Sequence, residues 1–203
     1  MKPNKIILAT TNKKKIEEIK YILTGIPIEW HSLAEFPNIR EVDEDGNTFL
    51  ENARKKAREI YRFTNMPALA DDSGLEIDAL DGRPGVLSAR YAGEHHNDKK
   101  NNDKVLNELK SIADDKRTAR FRCVIILVGK DAQRKSFEKI FEGTCEGKII
   151  HELRGHHGFG YDPIFLIPQY GKTLAELGPA IKNQISHRAR ALDKFKEWMT
   201  NEK

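Results

Sequence analysis

The stretch KIILATTNKKKIEEIKYILTG, residues 5–25, decides the fold class of this chain. Its first run, KIILAT, is short and mostly apolar, which is typical of a buried strand. The residues after it carry isoleucine and leucine at helical spacing between positions 16 and 23, and Gly25 is a natural helix stop. We therefore predict a strand that passes directly into a helix, as in α/β folds.

Strand-like and helical patterns alternate over the first half of the chain, and a hairpin follows. The polar turn KDAQR separates two strand-like runs, which predicts a long antiparallel hairpin. This order indicates a mixed-sheet α/β fold. The elements predicted after the first helix are a strand at 26–33, a helix at 45–63, a strand ending at Asp71 and Asp72, a structured loop at 81–96, a helix at 97–112, hairpin strands at 118–129 and 135–150, a short strand at 164–167, and a closing helix that carries Ile185, Ala189, Leu192, Phe195 and Met199.

Length and composition indicate a globular, soluble protein. The 203 residues suit one sizeable domain or two lobes that share a cleft, and 38% hydrophobic with 33% charged residues allow both a core and a polar surface. No apolar run approaches the roughly 20 residues that a membrane helix needs. The N-terminal apolar run is too short for a secretory signal, so we predict no membrane partner.

Cysteine usage and net charge add two expectations. Cys123 and Cys145 are far apart and lack the spacing of a metal site, which indicates a reduced chain in the cytoplasm. The excess of 35 basic over 31 acidic residues, a formal charge of +4, permits an anionic ligand without demanding nucleic acid. We therefore predict no stable nucleic-acid complex.

Lysines at the start of the first helix are the first functional signal. Each cation there opposes the helix dipole by about 0.3–1 kcal/mol. They form either a solvated surface cluster or, with backbone N–H groups and hydroxyls, a phosphate-binding turn, which the strand-to-helix position favours. A Walker loop is excluded, because its glycine motif is absent. The candidate anion-binding residues are Thr10, Thr11, Asn12, Lys13, Lys14 and Lys15.

Paired carboxylates after an apolar run are the second signal. Asp71 and Asp72 follow ALA and precede Ser-Gly, although side-by-side burial makes each carboxylate harder to ionise. A second acidic patch, EVDEDG at 41–46, either complements the dipole of the next helix or supplies a metal ligand. If one aspartate and one glutamate converge, they suit Mg²⁺, with water and substrate phosphate completing its coordination. Such a carboxylate can also deprotonate an attacking water.

Two late segments are candidates for base recognition. The loop GHHGFGYDPIF, residues 155–165, combines glycines that permit close approach with a ring able to stack on a nucleobase. The alternative is an irregular turn with Phe159 and Tyr161 in the core, and adjacent His156 and His157 are expected at the surface. Near the last helix, basic groups suggest a second anion or base contact: Lys182, His187 and Arg188, with Ser186 among them.

Five sequence blocks together resemble the inosine triphosphate pyrophosphatase family. They are TTNKKKIEE, DGNTFLENARKKA, ADDSGLEIDALDGRPGVLSARYAG, GFGYDPIF and ISHRARAL, and the resemblance runs from about residue 5 to residue 196. It implies a single domain over 1–203 with a mixed central sheet and two lobes flanking a long substrate cleft, usually as a homodimer. It also implies Mg²⁺-assisted attack of water on the α-phosphorus of ITP, dITP or XTP. The products would be a monophosphate and pyrophosphate, which cleanses the nucleotide pool.

The resemblance also implies roles for individual residues. Thr10 to Lys15 would hold the triphosphate, and Asp72 would be the general base and a metal ligand, with Ser73 beside the substrate and Asp71 in support. Glu44 would be the second metal ligand, with Glu41 as the alternative. Base recognition would fall to Phe159, Gly160, Tyr161 and Asp162, with Phe159 stacking on the purine. Phosphate or the 6-oxo edge would be contacted by Lys182, His187 and Arg188.

Some positions depart from the family pattern, and two other functions stay open. Thr11 and Lys14 stand where many members have glycine, and His156-His157 stand where small residues are common. One alternative is a non-catalytic nucleotide- or nucleic-acid-binding module. The other is a related pyrophosphatase acting on pyrimidine or modified nucleotides, which the GFGYDP and SHR blocks disfavour.

Overall fold

The computed structural model describes residues 2–39, 42–94 and 97–201. Within these ranges the regular elements alternate as the sequence predicts. The strands are β1 (Lys5–Leu8), β2 (Glu29–Ser32), β3 (Ala68–Ile77), β4 (Thr118–Lys130), β5 (Ser136–Ile149), β6 (Phe165–Ile167) and β7 (Lys172–Thr173). The helices are α1 (Lys13–Ile22), α2 (Phe49–Thr64), α3 (Asp98–Glu108), α4 (Leu174–Ile185) and α5 (His187–Thr200).

The strands form one mixed sheet in the order β2-β1-β3-β4-β5-β6-β7. β1 pairs in parallel with β2 and β3, so that Ile7 lies opposite His31 on one side and Ala68 on the other. Parallel neighbours need a crossover, which α1 supplies between β1 and β2. β6 pairs antiparallel with β5 and β7. The predicted mixed-sheet α/β class is confirmed.

The hairpin of β4 and β5 is also confirmed. At its turn the Asp131 N–H donates to the Lys135 carbonyl, at 2.9 Å. At its open end the Ile149 N–H donates to the Arg117 carbonyl, also at 2.9 Å. The end of β4 thus meets the start of β5, and the start of β4 meets the end of β5. The two strands therefore run antiparallel.

The chain divides into two compact units, each with its own apolar core. Unit 1 consists of Met1–Asp72, Cys123–Gly143 and Arg190–Lys203, and unit 2 of Ser73–Arg122 and Thr144–Ala189. The core of unit 1 packs residues of β1, α1 and α5 with the apolar run of β4. The core of unit 2 packs residues of β3, α3, β5 and β6.

The third strand ends later in the chain than the sequence predicts. β3 continues to Ile77, so Asp71 and Asp72 lie within the strand and no Ser-Gly turn follows them. The prediction was wrong because Leu75 and Ile77 are both fully buried in the unit 2 core. Their burial and the strand pairing outweigh the weak turn preference of serine and glycine.

The predicted closing helix is two helices. α4 ends at Ile185, Ser186 is extended (φ −68°, ψ 161°), and α5 begins at His187. The Ser186 hydroxyl accepts a hydrogen bond from the Ala189 N–H, at 3.2 Å, so this residue ends one helix and caps the next. Ile185 and Lys182 therefore belong to α4. None of the helices in the described residues is long and apolar enough to cross a membrane.

Candidate active site

The turn between β1 and α1 is shaped by its own side chains. The Thr10 hydroxyl accepts a hydrogen bond from the Asn12 N–H, and the Asn12 side-chain oxygen accepts one from the Lys15 N–H, both at 3.2 Å. Asn12 is thus the N-cap of α1, which satisfies one of the N–H groups that a helix start leaves unpaired. Thr11, Lys13 and Lys14 are exposed, which leaves this turn accessible to an anion.

Lys15 and Asp71 form an ion pair beneath this turn. The Lys15 ammonium contacts Asp71 Oδ1, and the Asp71 side chain is fully buried. The Cys123 thiol donates to the other carboxylate oxygen, Oδ2, at 3.2 Å. Asp71 therefore orients Lys15 and does not face solvent.

A buried lysine that the sequence analysis missed joins the predicted carboxylates. Lys56 of α2 is 8% exposed, and its ammonium donates to Glu44 Oε1 at 2.6 Å and to the Asp71 carbonyl at 2.7 Å. The same Nζ lies 3.8 Å from Asp72 Oδ1. Glu44 and Asp72 are thus brought around one ammonium group. Lys56 lies between Ala53 and Ile60 on the apolar stripe of α2, a position that could have identified it.

These side chains form an acidic cluster in unit 1. Two lysines, Lys15 and Lys56, face three carboxylates, those of Glu44, Asp71 and Asp72. With all five groups ionised, the sum of two positive and three negative charges is −1. A cation bound here would balance the excess, since opposite charge favours the ionised carboxylates.

Burial and the lysines act on the carboxylates in opposite directions. Burial raises the pKa of Asp72 to about 6, and the charges of Lys56 and Lys15 offset only part of that effect. Burial also disfavours ionised Glu44, but the charge and the hydrogen bond of Lys56 outweigh it and lower the pKa of Glu44. Asp72 is therefore poised to exchange a proton near neutral pH.

The donor set fits Mg²⁺ better than a metal that needs an all-protein cage. No group of three or more His, Cys, Asp or Glu side chains in the described ranges is arranged to hold a metal ion. Two carboxylates are what Mg²⁺ usually takes from a protein, because waters and phosphate oxygens fill its other positions. Glu44 and Asp72 both contact the Lys56 ammonium, so Glu44 lies near Asp72. Glu41 lies outside the described residues.

The second predicted cluster lies in unit 2, around the loop 158–162. Asp162 Oδ2 accepts hydrogen bonds from the Phe159 N–H at 2.9 Å and from the Lys182 ammonium at 2.5 Å. Lys182 Nζ lies 4.4 Å from the centre of the half-buried Phe159 ring, and the Arg188 guanidinium carbon lies 5.8 Å from it. Tyr161 is 3% exposed and belongs to the core. Of the two aromatic residues that could have been ordinary core residues, Tyr161 is one and Phe159 is not.

Glycine is required at the start of this loop. Gly158 has φ +77°, and a Cβ there would lie 2.0 Å from Asp162 Oδ2. Any side chain would displace the carboxylate that holds Phe159 and Lys182. His156 and His157 are exposed, as expected.

His187 and Arg188 begin α5 with their side chains buried. The His187 ring stacks on Phe121, with centroids 4.8 Å apart and an interplanar angle of 13°. Arg188 Nη2 donates to the Ser73 hydroxyl at 3.0 Å. Ser73 is predicted to lie beside the substrate. It is hydrogen-bonded to Arg188, a residue predicted to contact the base or a phosphate.

Sequence comparison identifies the family. A model described as the Ham1 family matches residues 6–198. The chain belongs to the Ham1 family. A protein of Desulforamulus reducens named dITP/XTP pyrophosphatase is 51% identical over 193 residues, covering 95% of this chain and 94% of that protein. One of the same name from Geobacter sulfurreducens is 50% identical, covering 95% of each chain.

Solved Ham1 structures share the fold. The Staphylococcus aureus Ham1 protein has a TM-score of 0.87 and 40% identity, covering 98% of this chain and 100% of its own. A HAM1 protein from Coxiella burnetii has the same TM-score and 43% identity, covering 97% and 98%. The resemblance that the five sequence blocks indicated is confirmed over nearly the whole chain.

Proposed function

We propose that this protein is a nucleoside triphosphate pyrophosphatase that acts on non-standard purine nucleotides. It hydrolyses ITP, dITP and XTP to the monophosphate and pyrophosphate, and so removes them from the nucleotide pool. The acidic cluster around Asp72, with its net negative charge and its raised pKa, is the observation that carries the proposal. The full-length identity of about 50% to proteins named dITP/XTP pyrophosphatase supports the substrate class.

The triphosphate binds at the start of α1 in this proposal. The positive end of a helix dipole and exposed lysines attract phosphate, and Lys13 and Lys14 are both exposed at the start of α1. Lys15, oriented by Asp71, contacts a phosphate oxygen. Because Asp71 fixes the ammonium before the substrate arrives, little reorganisation is needed on binding.

Asp72 accepts the proton of the attacking water. The water oxygen forms a bond to the α-phosphorus, the bond from that phosphorus to the oxygen bridging to the β-phosphorus breaks, and pyrophosphate leaves with the electron pair. The water proton passes to the Asp72 carboxylate. Asp72 and Glu44 would hold Mg²⁺, which would supply positive charge to neutralise the phosphates and the leaving pyrophosphate. Lys56 holds both carboxylates in place.

The loop 158–162 recognises the base. Phe159 stacks on the purine, and Lys182, His187 and Arg188 contact phosphate or the 6-oxo edge. Donors that face a 6-oxo group would be mispaired with the 6-amino group of ATP, and mispairing of buried polar groups is penalised strongly. This accounts for rejection of ATP.

The protein acts in the cytoplasm, as a homodimer and without a stable nucleic-acid complex. Cys123 and Cys145 form no disulfide and are buried, which suits a reducing compartment. The near-balance of basic and acidic residues supports a small anionic ligand over nucleic acid. The homodimer rests on the family resemblance. A non-catalytic binding module is not favoured, because the relatives carry the name of an enzyme.

A pyrophosphate-release assay tests the proposal. ITP, XTP, GTP and ATP are each supplied with Mg²⁺ and with EDTA. We expect pyrophosphate from ITP and XTP only with the metal, and little from ATP or GTP. Release of single phosphate would place the attack at the γ-phosphorus and contradict the assigned reaction, and no release from any nucleotide would contradict the enzyme assignment.

A further inference from the structure

The start of α3 carries a polar motif that the proposed reaction does not use. Its sequence, DKKNN at 98–102, places Asp98 and Asn102 one helical turn apart, and therefore on one face. Asn101 and Asn102 are each only 2% exposed. Buried asparagines inside a helix are unfavourable unless their amides are hydrogen-bonded. The hydrogen-bond partners of these two side chains therefore have to be identified.

Asp98 and Asn102 together hold both backbone polar groups of Gly160. Asp98 Oδ2 accepts a hydrogen bond from the Gly160 N–H at 2.8 Å. Asn102 Nδ2 donates to the Gly160 carbonyl at 2.9 Å. We call these two side chains and Gly160 the α3 clamp. It fixes one residue of the base-recognition loop from two directions.

The amide orientation of Asn102 is fixed by its partners. Nδ2 donates to the Gly160 carbonyl and also to the Asp98 carbonyl, at 2.7 Å. Carbonyl oxygens only accept, so the NH₂ end of the amide must face them. An aspartate or alanine at position 102 could not make either hydrogen bond.

The clamp bonds both backbone polar groups of Gly160. Gly160 has φ +62°, and a Cβ built on it would meet no atom within 4 Å. The two hydrogen bonds of the clamp restrain the position of this residue. Phe159 precedes Gly160 directly, and its own N–H is bonded to Asp162. A shift of Gly160 is thus transmitted to the backbone that carries the Phe159 ring.

Asn101 secures the other side of the same loop. Its Oδ1 accepts from the Ala92 N–H at 2.8 Å, and its Nδ2 donates to the carbonyls of Ser88 and Ala89, each at 3.4 Å. The Tyr161 hydroxyl donates to the same Ser88 carbonyl, at 2.8 Å. The adjacent asparagines of α3 therefore anchor consecutive loop residues, Gly160 directly and Tyr161 through Ser88.

We propose that Asp98 and Asn102 are positioning residues for purine specificity. They act through Gly160 and fix the Phe159 ring relative to Lys182 and Arg188, so that a purine stacked on the ring presents its 6-substituent to fixed donors. This inference rests on the proposed function of the loop as the base-recognition site. The clamp holds no group that the proposed function assigns to the triphosphate or the attacking water.

Alanine variants at the two clamp positions test this role. For Asn102→Ala and Asp98→Ala we expect the KM for ITP to rise about 10-fold and the ratio of kcat/KM for ITP to that for ATP to fall about 10-fold, as for loss of one good hydrogen bond. Inhibition by tripolyphosphate, which has no base, should change less than about 2-fold, well below what one lost hydrogen bond produces. Asp98→Asn keeps an acceptor for the Gly160 N–H and should recover most of the specificity.

The matched controls are Asn107→Ala and Asp103→Ala. Both residues are exposed on α3, so their loss should leave the KM for ITP and the specificity ratio unchanged. If Asn102→Ala does not fold, Asp98→Ala decides, because Asp98 is only half-buried. Equal weakening of ITP and tripolyphosphate binding in the clamp variants would overturn the proposal, since it would indicate general disruption.

Hydrogen exchange separates the clamp from the proposed function. The Gly160 amide should exchange about 10-fold faster in Asp98→Ala than in the wild type, as expected for loss of one hydrogen bond. Unchanged exchange in both alanine variants would overturn the clamp whatever the activity. Faster exchange in a protein that releases no pyrophosphate from ITP would confirm the clamp as a loop anchor and overturn its role in purine specificity together with the proposed function.

Discussion

At the scale of single residues, Asp72 combines the two properties that a general base needs near neutral pH. It is buried, and its pKa is raised to about 6 from an ordinary value of 3.8. Replacement by asparagine keeps the shape but removes the proton acceptor. We expect Asp72→Asn to lower kcat for ITP by at least about 100-fold, the usual contribution of a general base. Steady-state pyrophosphate release measures this, and retained turnover would contradict the assignment.

The same raised pKa makes the metal-free protein less stable at high pH. Between about pH 4 and pH 6 the folded state keeps a proton on Asp72 that the unfolded state has released. The free energy of unfolding therefore falls as pH rises through this window, by up to about 3 kcal/mol for a shift of about two units. Below the window both states are protonated and this contribution to stability is fully present.

Asp72→Asn should remove this pH dependence. In EDTA at pH 8 we expect the variant to melt several degrees above the wild type, since about 1 kcal/mol corresponds to roughly 2–4 °C in a chain of this size. At pH 4 the two should melt together. The exposed Asp103→Asn is the matched control and should follow the wild type at both pH values. A variant less stable than the wild type at pH 8 would show that the ionised carboxylate stabilises the fold.

At the scale of elements, a buried arginine joins the end of α3 to the open end of the β4–β5 hairpin. Arg117 is 1% exposed and donates to the carbonyls of Leu109, Ile149 and Ile150, at 2.7, 2.8 and 2.9 Å. Its rigid fork serves three acceptors that a lysine could not reach together. This side chain fixes where α3, and with it the α3 clamp, lies within unit 2.

Replacing Arg117 should destabilise the protein without changing the chemistry. We expect Arg117→Met to lower the free energy of unfolding by roughly 3 kcal/mol, because three buried carbonyls lose their donors. Arg117→Lys should recover only part of the loss. The control is Arg120→Met on β4, whose ion pairs with Asp78 and Glu146 are at the surface and should contribute no more than about 1 kcal/mol. Urea unfolding measures all three, and equal losses at positions 117 and 120 would contradict the argument.

Elements whose signals are local could be predicted from the sequence, and those set by tertiary contacts could not. The strand-to-helix turn was predicted because a short apolar run is followed directly by apolar residues at helical spacing, as in β1 and α1. The end of β3 was not, because burial of Ile77 overrides a local turn signal. The break at Ser186 was missed because apolar spacing continues across it. Lys56 and Asn102 were missed because their partners are distant in sequence.

At the scale of the whole molecule, the candidate residues fall into two groups, one in each unit. Thr10 to Lys15, Glu44, Asp71 and Asp72 belong to unit 1. Ser73, the loop 158–162, Lys182, His187 and Arg188 belong to unit 2. In the proposed function the chemistry falls to the first group and the choice of base to the second. Variants in unit 1 should therefore lower turnover for every nucleotide, whereas variants in the unit 2 loop should change the ranking of nucleotides.

Metal binding should appear in the stability of the whole protein. The acidic cluster carries a net charge of −1 when ionised, so Mg²⁺ should bind the folded state far better than the unfolded chain. At a concentration about 100 times its Kd, the ion would add about 2.7 kcal/mol to the free energy of unfolding. This corresponds to a rise in Tm of roughly 5–10 °C for a chain of this size. Thermal melting at pH 8, with and without MgCl₂, measures it.

The response should depend on pH and on the two proposed ligands. Binding requires ionised Asp72, so the Mg²⁺-induced rise in Tm should shrink as pH falls through about 6. It should be lost in Glu44→Gln and in Asp72→Asn, whereas Asp103→Asn should respond as the wild type does. KCl at matched ionic strength corrects for screening of surface charges. An undiminished rise in either ligand variant would remove that residue from the metal site, and a rise independent of pH would indicate that Mg²⁺ binds elsewhere.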